Sequence, residues 1–260
     1  MRMPELTQHC VREIDVRMRR AGTGEILLFL HGAAGLPPWT PFFERLAAHY
    51  DVLVPEHPGF GTDKHAGKIR NVADLAMYYL DFIDGLGVPV HLAGHSLGGW
   101  TAAELAVRNC SRLASLTLIA PAGVPVKGIP TGDNFIWGPE ELVRNLYHDQ
   151  RFADAILARS LSEEEADAML TNRFMAAKLG WEPRWFSAAL ERWLHRISAP
   201  TLLIWGADDK LMPAAYAKAW EAGVPNLRSA ILPECGHVPF VEKADETARL
   251  MGDFLEGGSA

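Results

Sequence analysis

A glycine-rich turn around Ser96 constrains the fold of this chain more than any other stretch. An apolar run leads into residues 94–99, GHSLGG, and a helical pattern follows directly. A strand that turns into a helix within one residue needs small neighbours, because a Cβ there would collide with the turn. Gly94 and Gly98, each two residues from Ser96, meet that need. The segment therefore predicts a strand–turn–helix unit with the Ser96 Oγ exposed at a strained apex and the Leu97 N–H free to stabilise an anion.

Strand-like and helical patterns alternate on both sides of this turn. Residues 9–20 alternate as an opening strand or hairpin, and buried strands are predicted at 26–30, 51–55, 113–119, 201–205 and 229–232. Helical patterns lie between them, at 41–49, 71–84, 214–222 and 244–255. Continuous apolar runs are typical of strands covered on both faces. Repeated strand–helix–strand units with short connections predict an α/β fold with a mostly parallel, twisted sheet and helices on both faces.

The alternation stops after about residue 124. Residues 125–196 show several helical patterns and no strand-like run. Pro139 can begin one helix, Ser162 with Glu165 forms a capping box for another, and a third is predicted from Trp181 to Ile197. We interpret 125–196 as an all-helical cap inserted into a core that is made of 1–124 and 197–260.

Composition and charge exclude several classes of function. The formal net charge is −7 and no long basic run is present, so neither nucleic acid nor an anionic membrane is an expected partner. No leader-like apolar segment or membrane-length apolar run occurs. Three cysteines at Cys10, Cys110 and Cys235 lack metal-site spacing and indicate reduced thiols, so we expect a cytoplasmic protein. No nucleotide-binding glycine motif or metal-ligand cluster is found, and we expect no cofactor and no metal.

A serine nucleophile needs a base, and the base needs an orienting acid. In open parallel sheets, functional groups collect in the loops at the carboxyl ends of the strands. Of the three predicted strands after Ser96, the first ends without a carboxylate, the second ends with Asp208 and Asp209, and the third is followed by His237. The order Ser, Asp, His is the one expected for a catalytic triad on such a sheet.

Five ordered motifs carry a family resemblance over essentially the whole chain. They are His31-Gly32, the 58–61 loop PGFG, the 94–99 turn, the Gly206-to-Asp209 turn and Gly236-His237. The chain resembles the α/β-hydrolase superfamily, in particular the capped, cofactor-free branch with esterases, lactonases, C–C bond hydrolases, epoxide hydrolases and dehalogenases. The latter two classes carry aspartate at the nucleophile position, whereas this chain has Ser96, which argues against both activities.

The resemblance also implies roles for individual residues. Ser96 would be the nucleophile and His237 the base that accepts and returns its proton. In the family pattern the acid lies three residues after the glycine and four before the proline, which selects Asp209. Asp208 remains the alternative acid, and its other expected role is to cap the following turn.

Two backbone N–H groups are expected to form an oxyanion hole. Leu97 would supply one, and the loop 31–35 would supply the other, with Ala33 favoured and Ala34 as the alternative. His31 is expected to hold this loop through hydrogen bonds. His95, which adjoins Ser96, is expected to face away from the apex and to serve as a packing residue.

The predicted cap is rich in tryptophan, and part of its aromatic set is expected to roof an apolar pocket. The candidate pocket residues are Trp137, Trp181, Arg184, Trp185, Leu211 and Val238. In the resembling C–C hydrolases a cap arginine meets the substrate carboxylate, which points to Arg184. Those enzymes usually carry asparagine before the nucleophile and tryptophan after the base histidine, where this chain has His95 and Val238.

Three functions follow from these patterns. The favoured function is a serine hydrolase that cleaves a small-to-medium carboxylic ester or lactone with an apolar part. The second is a C–C bond hydrolase of a dienoate-type ring-cleavage product. The third is a small-molecule receptor that keeps the scaffold. The natural substrate and the oligomeric state stay open at this point.

Overall fold

An eight-stranded sheet forms the centre of the molecule in the computed structural model, which describes residues 4–63 and 67–257. The strands are β1 Leu6–Val11, β2 Ile14–Ala21, β3 Ile26–Leu30, β4 Asp51–Pro55, β5 Val90–His95, β6 Leu113–Ile119, β7 Thr201–Gly206 and β8 Leu227–Leu232. Their order in the sheet is β1-β2-β4-β3-β5-β6-β7-β8. β1 and β2 form an antiparallel hairpin, β2 pairs antiparallel with β4, and all other pairs are parallel. The predicted opening hairpin and mostly parallel sheet are confirmed.

Helices cover both faces of the sheet. They are α1 Pro41–Ala47, α2 Val72–Leu86, α3 Leu97–Ala106, α4 Pro139–Leu146, α5 Gln150–Leu157, α6 Glu163–Gly180, α7 Ala188–Trp193, α8 Ala217–Gly223, α9 Pro239–Glu242 and α10 Ala244–Gly257. Neighbouring strand residues alternate between two apolar clusters, because successive side chains of a strand point to opposite faces. Leu28 and Leu30 pack in the cluster that contains α2 and α3, whereas Leu27 and Phe29 pack in the cluster that contains α1 and α10. Across the two described ranges, none of these helices has the length and apolar character needed to cross a bilayer.

The helix ends follow the predicted signals. Asn71 caps α2 by accepting the N–H of Asp74, and Gly87 closes that helix in the left-handed conformation. Ser162 and Glu165 form the predicted capping box of α6, and α4 begins at Pro139. The sequence signals therefore predict these helix ends correctly.

Four helices, α4 to α7, lie between β6 and β7 in the segment predicted to be a cap. The predicted helix from Trp181 to Ile197 is wrong over its first half. Helix α6 ends at Gly180, α7 occupies only Ala188–Trp193, and a short 3₁₀ turn follows at Leu194–Arg196. The limits of the cap, 125 and 196, stay a prediction.

Burial of one indole explains the interruption. Trp185 adopts a positive φ of 56°, which no helix tolerates, and is only 4% exposed. Its ring lies over Gly180, where an added Cβ would come within 2.5 Å, and its Nε1–H donates to Asn134 Oδ1 at 2.8 Å. Tertiary packing of this side chain thus overrides the helical pattern around it.

Candidate active site

Ser96 connects β5 to α3 and adopts φ 53° and ψ −114°, an unusual conformation for a residue with a side chain. Space at this turn is very limited, as predicted. A Cβ on Gly94 would lie 2.3 Å from the Gly98 carbonyl oxygen, and one on Gly98 would lie 2.1 Å from the Leu30 carbonyl oxygen. Ser96 is 7% exposed, so the serine is less accessible than its place at the apex predicted.

His237 is held by Asp209. The two side chains are buried, and His237 Nδ1 lies 2.7 Å from Asp209 Oδ2. The other carboxylate oxygen accepts the N–H groups of Leu211 at 2.9 Å and Met212 at 2.8 Å, which fixes the acid in its turn. Because a carboxylate only accepts, Nδ1 carries the proton and Nε2 is left with a lone pair. Within the described part of the chain, this buried Nε2 has no hydrogen-bond partner.

The neighbouring carboxylate points elsewhere. Asp208 Oδ2 lies 2.8 Å from His148 Nδ1, and both side chains are nearly half exposed. The turn that Asp208 was expected to cap is instead closed by Asp209. The geometry therefore brings Asp209, and not Asp208, to His237.

A chain of neutral side chains holds the loop 31–35. The His57 N–H donates to His31 Nε2 at 2.9 Å, so the proton of His31 lies on Nδ1, which donates to the Gly32 carbonyl at 2.7 Å. His57 in turn donates from Nε2 to the His31 carbonyl at 2.8 Å and accepts from the Tyr79 hydroxyl at 2.7 Å. Burial lowers the pKa of His31 to about 4 and that of His57 well below its ordinary value. The predicted role of His31 in holding the loop is confirmed.

The expected oxyanion donors remain available. Among the described residues, the N–H groups of Ala33 and Leu97 make no hydrogen bond, and neither does that of Ala34. The N–H of Ala33 shares a trans peptide unit with the Gly32 carbonyl and points away from it. That carbonyl accepts from His31 Nδ1 and from the Gly35 N–H at 3.2 Å, which fixes the direction of the Ala33 N–H. The assignment of Ala33 over Ala34 stays a prediction.

His95 does more than the predicted packing. Its Nε2–H donates to the His237 carbonyl at 2.9 Å, and the two rings lie 4.9 Å apart. Burial lowers its pKa well below the ordinary value, which keeps this imidazole neutral. On its other side, a Cβ on Gly32 would come within 2.8 Å of His95 Nδ1. His95 thus packs between the His237 loop and the loop 31–35.

The predicted anion-binding residue already has a partner. Arg184 forms an ion pair with Asp133. Its guanidinium also lies 4.5 Å from the ring centroid of Trp181 and 4.9 Å from that of Phe135. The charge of Arg184 is therefore compensated by an adjacent carboxylate and two aromatic rings.

The other candidate pocket residues differ in exposure. Leu211 and Val238 are buried next in sequence to the acid turn and to His237, at 7% and 8% exposed. Trp137 packs against Gly132, and Trp185 is buried against Gly180 within the predicted cap segment. Trp181 is 54% exposed. That these side chains line a substrate pocket stays a prediction.

Sequence reasoning missed two polar residues beside this site, Asn172 and Glu242. Asn172 lies on the inner face of α6, which otherwise consists of Met175, Ala176 and Leu179 in its buried part. An amide within an apolar helical stripe was the available signal. Glu242 accepts the N–H groups of Asp149 and Gly236, and no sequence pattern announced that contact.

Comparison with known proteins gives the class. A family model described as Alpha/beta hydrolase family matches residues 27–250, and the chain belongs to that family. Several of its relatives are named hydrolases, and the chain is a hydrolase with the α/β-hydrolase fold, as predicted.

Similar proteins include dienoate hydrolases and a phospholipase. The chain is 26% identical to a 2-hydroxy-6-oxo-6-phenylhexa-2,4-dienoate hydrolase of Burkholderia cepacia, with 94% of this chain and 92% of the relative covered. It is 29% identical to a 2-hydroxy-6-oxononadienedioate/2-hydroxy-6-oxononatrienedioate hydrolase of Cupriavidus pinatubonensis, with 94% and 91% covered. Among solved structures, a bacterial membrane phospholipase A superposes with a TM-score of 0.82 and 28% identity over 98% of this chain and 87% of the other.

Proposed function

We propose that this chain is a serine hydrolase of carboxylic esters or lactones with an apolar part. One observation carries the proposal above all others. His237 is oriented by Asp209 through Nδ1 and keeps a buried, unpaired Nε2 beside the strained turn that presents Ser96. A positioned imidazole with a free lone pair is the base that a serine nucleophile requires.

In the proposed first step, the Ser96 Oγ attacks the carbonyl carbon of the ester while His237 Nε2 takes the hydroxyl proton. The carbonyl oxygen becomes an oxyanion that the N–H groups of Leu97 and Ala33 stabilise. The intermediate collapses, the C–O bond to the alcohol breaks, and the proton on Nε2 passes to the leaving alkoxide. Ser96 is left as an acyl ester.

Water completes the cycle in the second step. His237 Nε2 accepts a proton from the water that attacks the acyl carbon, and it returns that proton to the Ser96 Oγ as the acid leaves. Asp209 stays ionised and stabilises the imidazolium in both steps. The scheme needs no group beyond the substrate and water.

Two features favour an ester over a dienoate that carries a carboxylate. Arg184, the residue best placed in sequence to meet such a carboxylate, is paired with Asp133. His95 and Val238 also stand where the resembling C–C hydrolases usually have asparagine and tryptophan. The similarity to a phospholipase A is consistent with an ester substrate.

A C–C bond hydrolase is the second candidate, and the similar proteins support it as much as they support an ester hydrolase. Two dienoate hydrolases of Burkholderia cepacia and Comamonas testosteroni are similar to this chain over at least 94% of its length. The same Ser96, His237 and Asp209 would then act on a ketone instead of an ester carbonyl. Arg184 would have to exchange Asp133 for the substrate.

Hydrolysis of p-nitrophenyl esters from acetate to decanoate tests the proposal, with wild type compared to Ser96→Ala. We expect turnover with an optimum in acyl length and a loss of about 10⁶ in kcat in the variant, because removal of a triad nucleophile has that effect. The dienoate 2-hydroxy-6-oxo-6-phenylhexa-2,4-dienoate is assayed beside the esters. Turnover of the dienoate with no turnover of any ester would replace the first candidate by the second.

A further inference from the structure

A polar contact that the proposed reaction does not use joins the predicted cap to the loop that carries the Ala33 N–H. Asn172, on α6, is 8% exposed, and its amide makes two hydrogen bonds. Nδ2–H donates to the Ala34 carbonyl at 2.9 Å, and Oδ1 accepts the Gly61 N–H at 2.7 Å. A single cap side chain thus reaches both the loop 31–35 and the loop 58–61.

The loop leaves no room for another arrangement. Gly35 has a φ of 97°, and a Cβ at this position would lie 2.2 Å from Asn172 Nδ2. The backbone therefore approaches the amide as closely as glycine alone permits. Contact of this kind fixes the position of the loop relative to α6, because neither partner can move without losing it.

Two peptide units of this loop, the one that contains the expected oxyanion donor and the second one after it, are thereby held at different points. The unit of Gly32 and Ala33 is held by His31, from the core. The unit of Ala34 and Gly35 is held at its N–H by the Gly32 carbonyl and at its C=O by Asn172, from the cap. Loss of the Asn172 contact leaves the second unit with only its hydrogen bond inside the turn 32–35, and the turn can then rotate together with the Ala33 N–H.

We infer that Asn172 is a positioning residue for the oxyanion hole, through which the cap helix α6 sets the rate of the chemical step. It does not touch the substrate; it acts through the Ala34 carbonyl. This inference rests on the proposed function, because it presumes that an oxyanion forms beside Ser96. It assigns to a residue of the predicted cap a role in the reaction, beyond giving the pocket its shape and its apolar lining.

The first experiment compares wild type with Asn172→Leu, which removes both hydrogen bonds at similar side-chain size. We expect kcat on the best p-nitrophenyl ester to fall about 10- to 100-fold, less than the 10²–10³ caused by outright loss of a donor, while KM stays within about twofold. Thr171→Val is the matched control, because Thr171 lies next to Asn172 and bonds only within α6, to the Asp167 carbonyl. A kcat for Asn172→Leu within twofold of that control would overturn the inference.

Asn172→Asp separates positioning from simple packing. One oxygen still accepts from the Gly61 N–H, but the ionised second oxygen repels the Ala34 carbonyl, whereas a protonated one donates to it. The kcat/KM of the variant relative to wild type should therefore rise as the pH is lowered towards 5. Taking the ratio removes every pH dependence that the two proteins share. A constant ratio would contradict the proposed contact.

A third readout keeps the inference independent of the substrate class. A fluorophosphonate forms an Oγ–P bond with Ser96, the P–F bond breaks, fluoride leaves and His237 takes the proton, with negative charge on a phosphoryl oxygen in the oxyanion hole. Labelling should slow in Asn172→Leu by the same factor as kcat. If no ester is hydrolysed but wild type is labelled, the ester proposal fails and the labelling rates alone decide on Asn172. No labelling of wild type would overturn both.

Discussion

Two of the contacts between the predicted cap segment and the loops of the candidate site are built from different chemistry. In the oxyanion-side contact, the side-chain amide of Asn172 donates to the Ala34 carbonyl and accepts the Gly61 N–H. The base-side contact is the turn 146–149 on the loop that carries His237. In this contact the His237 N–H donates to the Leu146 carbonyl at 2.8 Å. In addition, Glu242 accepts the N–H groups of Asp149 and Gly236.

The difference lies in charge. The oxyanion-side contact is a buried, neutral amide, so we expect it to act by geometry and to be insensitive to salt. The base-side contact depends on a carboxylate, and the half-exposed His148–Asp208 pair lies beside it. Charged hydrogen bonds are stronger than neutral ones, but exposed charges are screened. From this comparison we expect the base-side contact to contribute more to the free energy of unfolding. The oxyanion-side contact is expected to act mainly on the position of the loop 31–35.

The largest effect is expected at Glu242. Glu242→Ala removes a charged acceptor from two backbone N–H groups and should lower the free energy of unfolding by about 3 kcal/mol. Glu242→Gln keeps one acceptor oxygen and should cost about half as much. Urea unfolding followed by circular dichroism measures both. If Glu242→Ala were as stable as wild type, the base side would not be the stronger contact.

A second effect concerns the histidines of the oxyanion side. The pKa of His31 is lowered from 6.5 to about 4 in the folded chain because the ring is buried. Above pH 6.5 the His31 ring is neutral in both the folded and the unfolded chain, so its titration does not change the free energy of unfolding there. As the pH falls from 6.5 to about 4, the unfolded chain binds a proton that the folded chain excludes, so stability falls by about 3 kcal/mol.

Denaturant unfolding between pH 7.5 and 4 measures this decline, with His31→Gln as the control. The variant is expected to be less stable at pH 7.5, because Gln cannot reproduce both hydrogen bonds of the imidazole. Its stability should nevertheless fall less steeply with acid, since it lacks the titrating group. Parallel curves for the two proteins would show that another group causes the acid dependence.

The smallest effect is expected at the surface of the base side. Asp208→Asn removes the charge opposite His148, and exposed pairs of this kind contribute less than about 1 kcal/mol. The difference from wild type should shrink further in 0.5 M NaCl because of screening. Unfolding at low and high salt measures it. A loss comparable with that of Glu242→Ala would remove the distinction between the partly buried Glu242 and the more exposed pair.

Local patterns were sufficient for most of the fold. Continuous apolar strands, the capping box at Ser162 and the glycines around Ser96 each determine their own backbone, so they could be predicted from neighbours in sequence. The interruption of the predicted helix from Trp181 could not be predicted in this way. It depends on the packing of Trp185 against Asn134, which is distant in sequence, and against Gly180, which lies across a turn.

The candidate site divides in the same way. The approach of Asp209 to His237 follows from strand order, since both residues come after neighbouring parallel strands. The donation from His95 to the His237 carbonyl and the two bonds of Asn172 depend on side-chain directions that no spacing encodes. Residues that support a site are therefore harder to read from a sequence than those that perform its chemistry.

The amide of Asn172 has a consequence for engineering. Caps of α/β-hydrolases are attractive units for exchange, because the insertion begins and ends at neighbouring strands, here β6 and β7. In this chain a cap from another enzyme would change the residues that line the pocket. It would also remove the hydrogen bond from Asn172 to the Ala34 carbonyl. A chimera that retains an asparagine facing Gly35 should therefore keep its turnover, whereas one without it would change specificity and speed together.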